Sequence, residues 1–408
     1  MPTINPFRGL RPAQDAAQQV IAPPYDVVTT EEARAFAGSN PLNFLHVSRP
    51  EIDLPPGTPP YGSSVYQAGA QNFNDLISKR ILRRDTGKHF YIYRLRMGGR
   101  HQTGLVGVVS VADYRAGRIR KHEHTRPDKE NDRIAHMEAL NAQTGPTMMV
   151  YREAPEATQL LAEGSRVEPD YDSLELNDAK HSLWVVRDDD LIRELKTGLE
   201  NQPVFYIADG HHRSAAAAQV AARRKTAADD PCQFFLAVVF PESEVNILDY
   251  NRVVRDLGDL SSGQFLQEVE RYFTLEHRAG SVRPARNGEF GLYLDGSWYR
   301  LTLRPEFAAA TDPRERLDVR RLETHLLTPI LSITDLRTDP RIDFVGGSRG
   351  LRELERRVDQ GEMRAGFSLY PTSLEELMSV ADSGAVMPPK STWFEPKLAD
   401  GLVAHVLD

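Results

Sequence analysis

The segment Val204–Ala218, VFYIADGHHRSAAAA, constrains this chain more than any other stretch. Val204, Phe205, Tyr206 and Ile207 are β-branched or aromatic and predict a strand, which Asp209-Gly210 breaks. Two histidines and an arginine then open an alanine-rich helix. Such a junction leaves the first N–H groups of the helix without intrahelical acceptors, at the end where the helix dipole favours negative charge. Arg213 adds a permanent cation whose planar fork suits phosphate. The same residues fit an ordinary helix start, with Asp209 as N-cap and His211 and His212 as a solvated first turn. Against that, a carboxylate, two imidazoles and a guanidinium within five consecutive positions are costly to gather without a use. The segment is therefore read as an anion-binding turn for phosphate, involving Asp209, Gly210, His211, His212 and Arg213. Because a carboxylate repels phosphate, Asp209 either handles a proton or holds a divalent cation, Mg²⁺, that bridges to the phosphate.

At 408 residues the chain is long enough for two or three domains with a sizeable core. A formal charge of −8 argues against a general nucleic-acid binder, and the basic clusters at Arg83-Arg84, Arg118–Lys121 and Arg223–Lys225 are short enough to be solvated faces. Cys232 stands alone, which excludes an intrachain disulfide and a cysteine-rich zinc site and fits a reducing cytoplasm. The opening MPTINPFRGLRP lacks the apolar stretch of a signal peptide, and no run approaches the length of a membrane span. A cytoplasmic protein with no membrane partner is expected.

Along the chain, Phe90–Met97 and Gln102–Val111 read as strands of a hairpin turned at Gly98-Gly99-Arg100, and helices are predicted over Tyr66–Ile81 and Asp128–Asn141. Further strands are expected at Thr147–Tyr151, His181–Val186 and Phe234–Phe240. Beyond about residue 255 the character shifts, with a hairpin at Asp295-Gly296 and a capping box at Ser373 and Glu376. The expected fold class is α+β: a mixed-sheet N-terminal part over 1–255 that contains the DGHHR turn, and a smaller α+β C-terminal part over 256–408.

Two further segments carry candidate chemistry. In His122-Glu123-His124 an extended backbone places the imidazoles of His122 and His124 on one side and Glu123 on the other. The histidines can chelate zinc with His211 or His212 completing the shell, or can frame a phosphate while Glu123 works as a base or a metal ligand. A purely structural role remains open at this point. The other segment, Met387–Lys397 (MPPKSTWFEPK), combines rigid prolines with aromatic anchors and is expected to fold back onto the body. Lys390, with the hydroxyls of Ser391 and Thr392, is a candidate phosphate contact or part of a structural strap. Gly346-Gly347-x-x-Gly350 lacks the first glycine of a dinucleotide turn, and neither a phosphate loop of nucleoside triphosphatases nor a protein-kinase signature is present.

Seven pieces, FRGLRP (Phe7–Pro12), APPYDVV (Ala22–Val28), HEHT (His122–Thr125), Asp132-Arg133, YIADGHHR (Tyr206–Arg213), NRVV (Asn251–Val254) and MPPKSTWFEPK, occur in that order from end to end. Together they resemble the bacterial family known as domain of unknown function 1015. One departure is Ser214, where the family usually has an aromatic residue. The DGHHR box is also similar to the nucleotide-handling turn of the ParB/sulfiredoxin superfamily, which includes free-serine kinases. The resemblance implies a phosphotransferase that uses Mg²⁺ and takes ATP, ADP or pyrophosphate as donor and L-serine as acceptor. By that analogy Asp209, His211, His212 and Arg213 line the donor site and Glu123 is the base, with Asp209 the alternative. A ParB-like nucleotide switch and a metal-dependent phosphohydrolase are the other two functions considered.

Overall fold

A computed structural model describes residues 1–408. The chain forms two compact units, Met1–Val245 together with Pro396–Asp408, and an inserted segment Asn246–Glu395. This division differs from one at residue 255 in two ways. Tyr250–Val254 pairs with strands Ile342–Gly346 and Ala365–Leu369 of the second unit, and the last thirteen residues return to the first. The change of unit falls in the short polar stretch Glu242–Asn246 between strands, which is no longer than an ordinary loop.

The first unit is built on a nine-stranded mixed sheet. Across it run Ile119–Arg120, Phe205–Asp209, Thr147–Tyr151, Phe234–Pro241, Arg100–Ser110, Phe90–Met97, Ala179–Val186 and Tyr171–Leu176, with Ile4–Asn5 paired beside Arg100–Ser110. Thr147–Tyr151 is buried at every position and Phe234–Pro241 at all but the first, which matches their near-continuous apolar sequences. Helix His211–Arg224 lays Ala216, Ala217, Val220 and Ala221 into the same core as Ile207, Met149 and Val239. Its string of alanines is thus the means of close approach to the sheet. Helix Pro127–Leu140 packs along it.

Two residue pairings place the candidate site residues. Phe205–Asp209 runs parallel to Ile119–Arg120, with Phe205 opposite Ile119 and Tyr206 opposite Arg120. The chain leaving Arg120 therefore carries His122 and Glu123 toward the end of the neighbouring strand, where the turn at Gly210 begins. Two motifs almost ninety residues apart meet because their strands are parallel neighbours.

The second unit holds a six-stranded antiparallel sheet in the order Phe273–Arg278, Ser297–Leu303, Glu289–Leu294, Ala365–Leu369, Tyr250–Val254, Ile342–Gly346. The capping box of Ser373 and Glu376 opens helix Leu374–Asp382, and the hairpin turns at Asp295-Gly296. No helix of the chain is long and apolar enough to cross a membrane.

Gly104, mid-strand in the first unit, exists because Phe240 crosses over it: a Cβ there would lie 2.7 Å from the phenyl ring and 2.8 Å from the Val239 carbonyl oxygen. Neither neighbour can withdraw without disturbing the central sheet. Gly104→Ala is expected to destabilise the protein by about 1–3 kcal/mol, the usual range for overpacking. The measurement is a urea denaturation curve, with a lower midpoint at unchanged slope.

Candidate functional site

The strand Phe205–Asp209 ends in a bulge against Thr147–Tyr151, where the register shifts between Ile207 and Asp209. Gly210 follows with φ 97° and ψ 28°, in left-handed space that disfavours other residues. A side chain there would also be crowded, since a Cβ would come within 3.1 Å of the Arg213 guanidinium and 3.2 Å of Thr147 Cα. The helix then starts at His211 with no side chain capping it. Its first intrahelical bond runs from Ser214 N–H to the Gly210 carbonyl at 3.0 Å, so the amides of His211, His212 and Arg213 precede the ladder.

Arg213 is the hub of the turn. Its side chain is buried, donates to Asp209 Oδ2 at 2.9 Å and to the Pro146 carbonyl, and stands 3.8 Å from Asp26 Oδ2. Burial works against its charge, but Asp26 and Asp209 outweigh burial and raise its pKa. Lys397 Nζ lies 3.7 Å from the other Asp209 oxygen. Burial pushes Asp209 up, yet Lys397 and Arg213 hold it well below the ordinary carboxylate range. Asp209 is thus a weak proton acceptor committed to two cations.

Asp400, three residues beyond Lys397, completes this group. Its backbone pairs with Ala22, at 2.9 and 3.1 Å, and so ties the C-terminal segment to the APPYD stretch. The carboxyl is buried with Oδ1 lacking a hydrogen-bond partner, and burial pushes its pKa up to about 7 against the pull of Arg213. Gly145 is wedged between the two: a Cβ there would be 3.0 Å from Asp400 Oδ1 and 3.4 Å from Arg213 Cδ. The APPYD stretch is held from its other side by Arg133, whose guanidinium stacks 3.8 Å from the Tyr25 ring centroid while binding Asp132 at 2.7 Å. Tyr66 donates to the same aspartate at 3.0 Å.

The histidines form a second cluster beside the first. His122 and His211 meet edge to face with ring centroids 4.5 Å apart, and the His122 backbone N–H donates to His211 Nε2 at 3.4 Å. Burial pushes His122 down to about 4 and His211 well below its ordinary value, so both are neutral imidazoles at pH 7. His212 Nε2 accepts the Arg126 N–H at 3.1 Å and is also lowered, chiefly by burial. Glu123 belongs to this cluster: one ligand atom each of His122, Glu123 and His211 lie within 4.8 Å of one another.

Two expectations from alternation along His122-Glu123-His124 do not hold. Glu123 shares a side with His122, and His124 is exposed outside the cluster. The reason is local: pairing ends at Arg120 and the following residues bend, so a period of two no longer applies. Mg²⁺ held by Asp209 is likewise at odds with its surroundings, because both carboxylate oxygens face cations. Of the strap residues, Lys390, Ser391 and Thr392 lie in the second unit. There the Lys390 carbonyl accepts from Arg252 at 2.8 Å, the Ser391 hydroxyl donates to the Pro388 carbonyl at 2.6 Å, and the Ser391 carbonyl accepts from Thr372 at 2.9 Å. The strap's second lysine, Lys397, is the one beside Asp209. Sequence reading assigned no role to Asp26, Lys397 or Asp400. The first two lie inside motifs already singled out, whereas Asp400 carries no signal of its own.

A mixed-sheet α+β protein with an uncapped helix start at a strand end, beside one buried and one half-buried cation, is the class that fold and site define. The chain belongs to the family described as "Protein of unknown function (DUF1015)", matched over residues 4–322. Among solved structures it is similar to a free serine kinase in complex with AMP, with a TM-score of 0.37, 13% identity, and coverage of 71% of this chain and 86% of that one. For an altered form of free serine kinase in complex with ADP the values are 0.34, 13%, 70% and 86%. For SbnI with a C-terminal truncation from Staphylococcus aureus they are 0.38, 11%, 72% and 85%. No curated protein matches the chain.

Asp400 gives a pH-dependent prediction. Between its unfolded value of about 4 and its folded value of about 7 the native chain keeps a proton that the unfolded chain has released. Stability from this residue therefore falls as pH rises through that window. Asp400→Asn removes the titration, so the variant's urea midpoint relative to wild type should rise from pH 5 to pH 8. A difference that stays constant with pH would mean that the carboxyl does not titrate there.

Proposed function

We propose that the protein is a small-molecule phosphotransferase that moves a phosphoryl group from ATP, ADP or pyrophosphate to the hydroxyl of free L-serine. The observation that carries the proposal is the uncapped start of helix His211–Arg224, flanked by the guanidinium of Arg213 and the ammonium of Lys397. Phosphoryl transfer requires positioning and neutralisation of charge on the transferred group more than covalent help from the protein. Backbone amides at a helix N-terminus and two cations in a partly buried setting supply both. The acceptor rests on the likeness of the DGHHR box to that of free-serine kinases, which is an analogy.

Within this reading Glu123 takes the proton of the acceptor hydroxyl, because Asp209 is committed to Arg213 and Lys397. Asp209 and Asp26 set the position of the cations before the donor arrives. Mg²⁺ would come with the donor and offset the charge of its phosphates; the residues around Asp209 do not fit it as a resident ion.

Formation of O-phosphoserine, followed by mass spectrometry with each donor in turn, tests the reading. Glu123→Gln should lower turnover by about 10²–10⁴-fold, the usual contribution of a general base, with donor affinity nearly unchanged. Lys397→Met should instead weaken donor binding by about 1.5–3 kcal/mol, the cost of losing a charged hydrogen-bond partner, as read by calorimetric titration. If no donor yields phosphoserine while a nucleotide binds and changes the association state, a regulatory nucleotide-binding protein replaces the kinase.

A further inference from the structure

The polar groups at the end of Phe205–Asp209 fall into two sets of different chemistry. Around Asp209 the oxygens already face Arg213 and Lys397. Around His122 the situation is reversed. Its ring is buried, one nitrogen is engaged with the backbone of Ile207, and the other, Nδ1, has no hydrogen-bond partner. A buried imidazole nitrogen without a partner is an uncommon thing for a fold to keep. Here it sits where His211, itself buried, and Glu123 each present a ligand atom within 4.8 Å.

We propose that His122, Glu123 and His211 form a binding site for a divalent first-row transition ion, of the Zn²⁺ or Mn²⁺ kind. Ligands at about 2.1 Å from a common ion in tetrahedral geometry lie about 3.4 Å apart, so closure from a spread of 4.8 Å needs the ligand atoms to draw together by about 1.4 Å or less. Two imidazole nitrogens and one carboxylate oxygen form a donor set for such ions, whereas Mg²⁺ selects oxygen and water. The Ile207 backbone bond does for His122 what outer partners do for metal-ligating histidines: it fixes the tautomer and leaves Nδ1 as the lone-pair nitrogen. Three protein ligands leave at least one coordination position for water or a substrate oxygen. A carboxylate bound through one oxygen can still accept a proton on the other, so the ion and the base role of Glu123 are compatible. The inference goes beyond the phosphotransferase reading and does not rest on it.

The test uses the full chain, stripped with chelator and titrated calorimetrically with Zn²⁺, Mn²⁺ and Mg²⁺ salts without donor or serine. One equivalent of Zn²⁺ or Mn²⁺ should bind, at least 100-fold more tightly than Mg²⁺. His122→Ala should abolish that binding, Glu123→Gln should weaken it at least tenfold, and His124→Ala should leave it unchanged. Substitution with Co²⁺ should give visible absorption bands that the His122 variant lacks. If His122→Ala fails to fold by circular dichroism, Glu123→Gln at its half-buried position decides the matter. Absence of a one-equivalent site in the wild type would overturn the proposal. So would a site indifferent to His122→Ala and Glu123→Gln but lost in His124→Ala, or one that takes Mg²⁺ equally well. Because no donor is present, each of these results leaves the phosphoserine assay to stand or fall separately.

Discussion

The ion pair between Arg213 and Asp209 is the interaction on which the site depends. A buried guanidinium is costly unless its charge and its hydrogen bonds are both answered. Here Asp209 answers the charge and the Pro146 carbonyl takes a donor, while Nε is left without a partner. The pair spans one helical turn, from the last residue of the strand to the third of the helix, and so fixes the angle at which the helix leaves the sheet. Gly210 suits this closure because its positive φ strains any other residue, and a Cβ there would crowd Arg213 and Thr147. Asp26 and Asp400 then converge on the same guanidinium from segments far apart in sequence.

This arrangement makes the turn nearly balanced before any ligand is present. Arg213 stands beside the carboxylates of Asp209 and Asp26 and Lys397 beside that of Asp209, while burial favours a neutral Asp400 and neutral His122 and His211. A phosphate entering such a site competes with carboxylates for the same donors, and does so favourably only if it brings a counterion or displaces an acid. Under the phosphotransferase proposal, that competition would discriminate against anions that arrive alone.

Much of this was legible in the sequence, and the parts that were not share a cause. The strand–turn–helix unit at Val204–Ala218, the hairpin of Phe90–Met97 and the helix at Pro127–Leu140 are written in local patterns of propensity and period. The meeting of His122 with His211 was foreseeable only as a chemical suggestion, since it depends on the parallel pairing of a two-residue strand. The orientation of Glu123 escaped because periodicity holds only while the backbone stays extended. Asp400 escaped entirely. Nothing local distinguishes a buried acid that faces an arginine from a surface one, and its partners Ala22 and Arg213 lie far away in sequence.

The insertion of Asn246–Glu395 has a consequence for how the molecule comes into being. Lys397 and Asp400 belong to the first unit in space yet are the last of the site to be synthesised. A nascent chain can complete the strands of its large sheet once residue 241 has emerged, long before the lysine facing Asp209 exists. Until then Asp209 has only one of its two cations, and Ala22 has no backbone partner from the C-terminal segment. The order of synthesis therefore withholds the finished site until residues 397–400 have emerged, and proteolytic loss of Pro396–Asp408 would remove both groups although no strand of the large sheet lies in that segment.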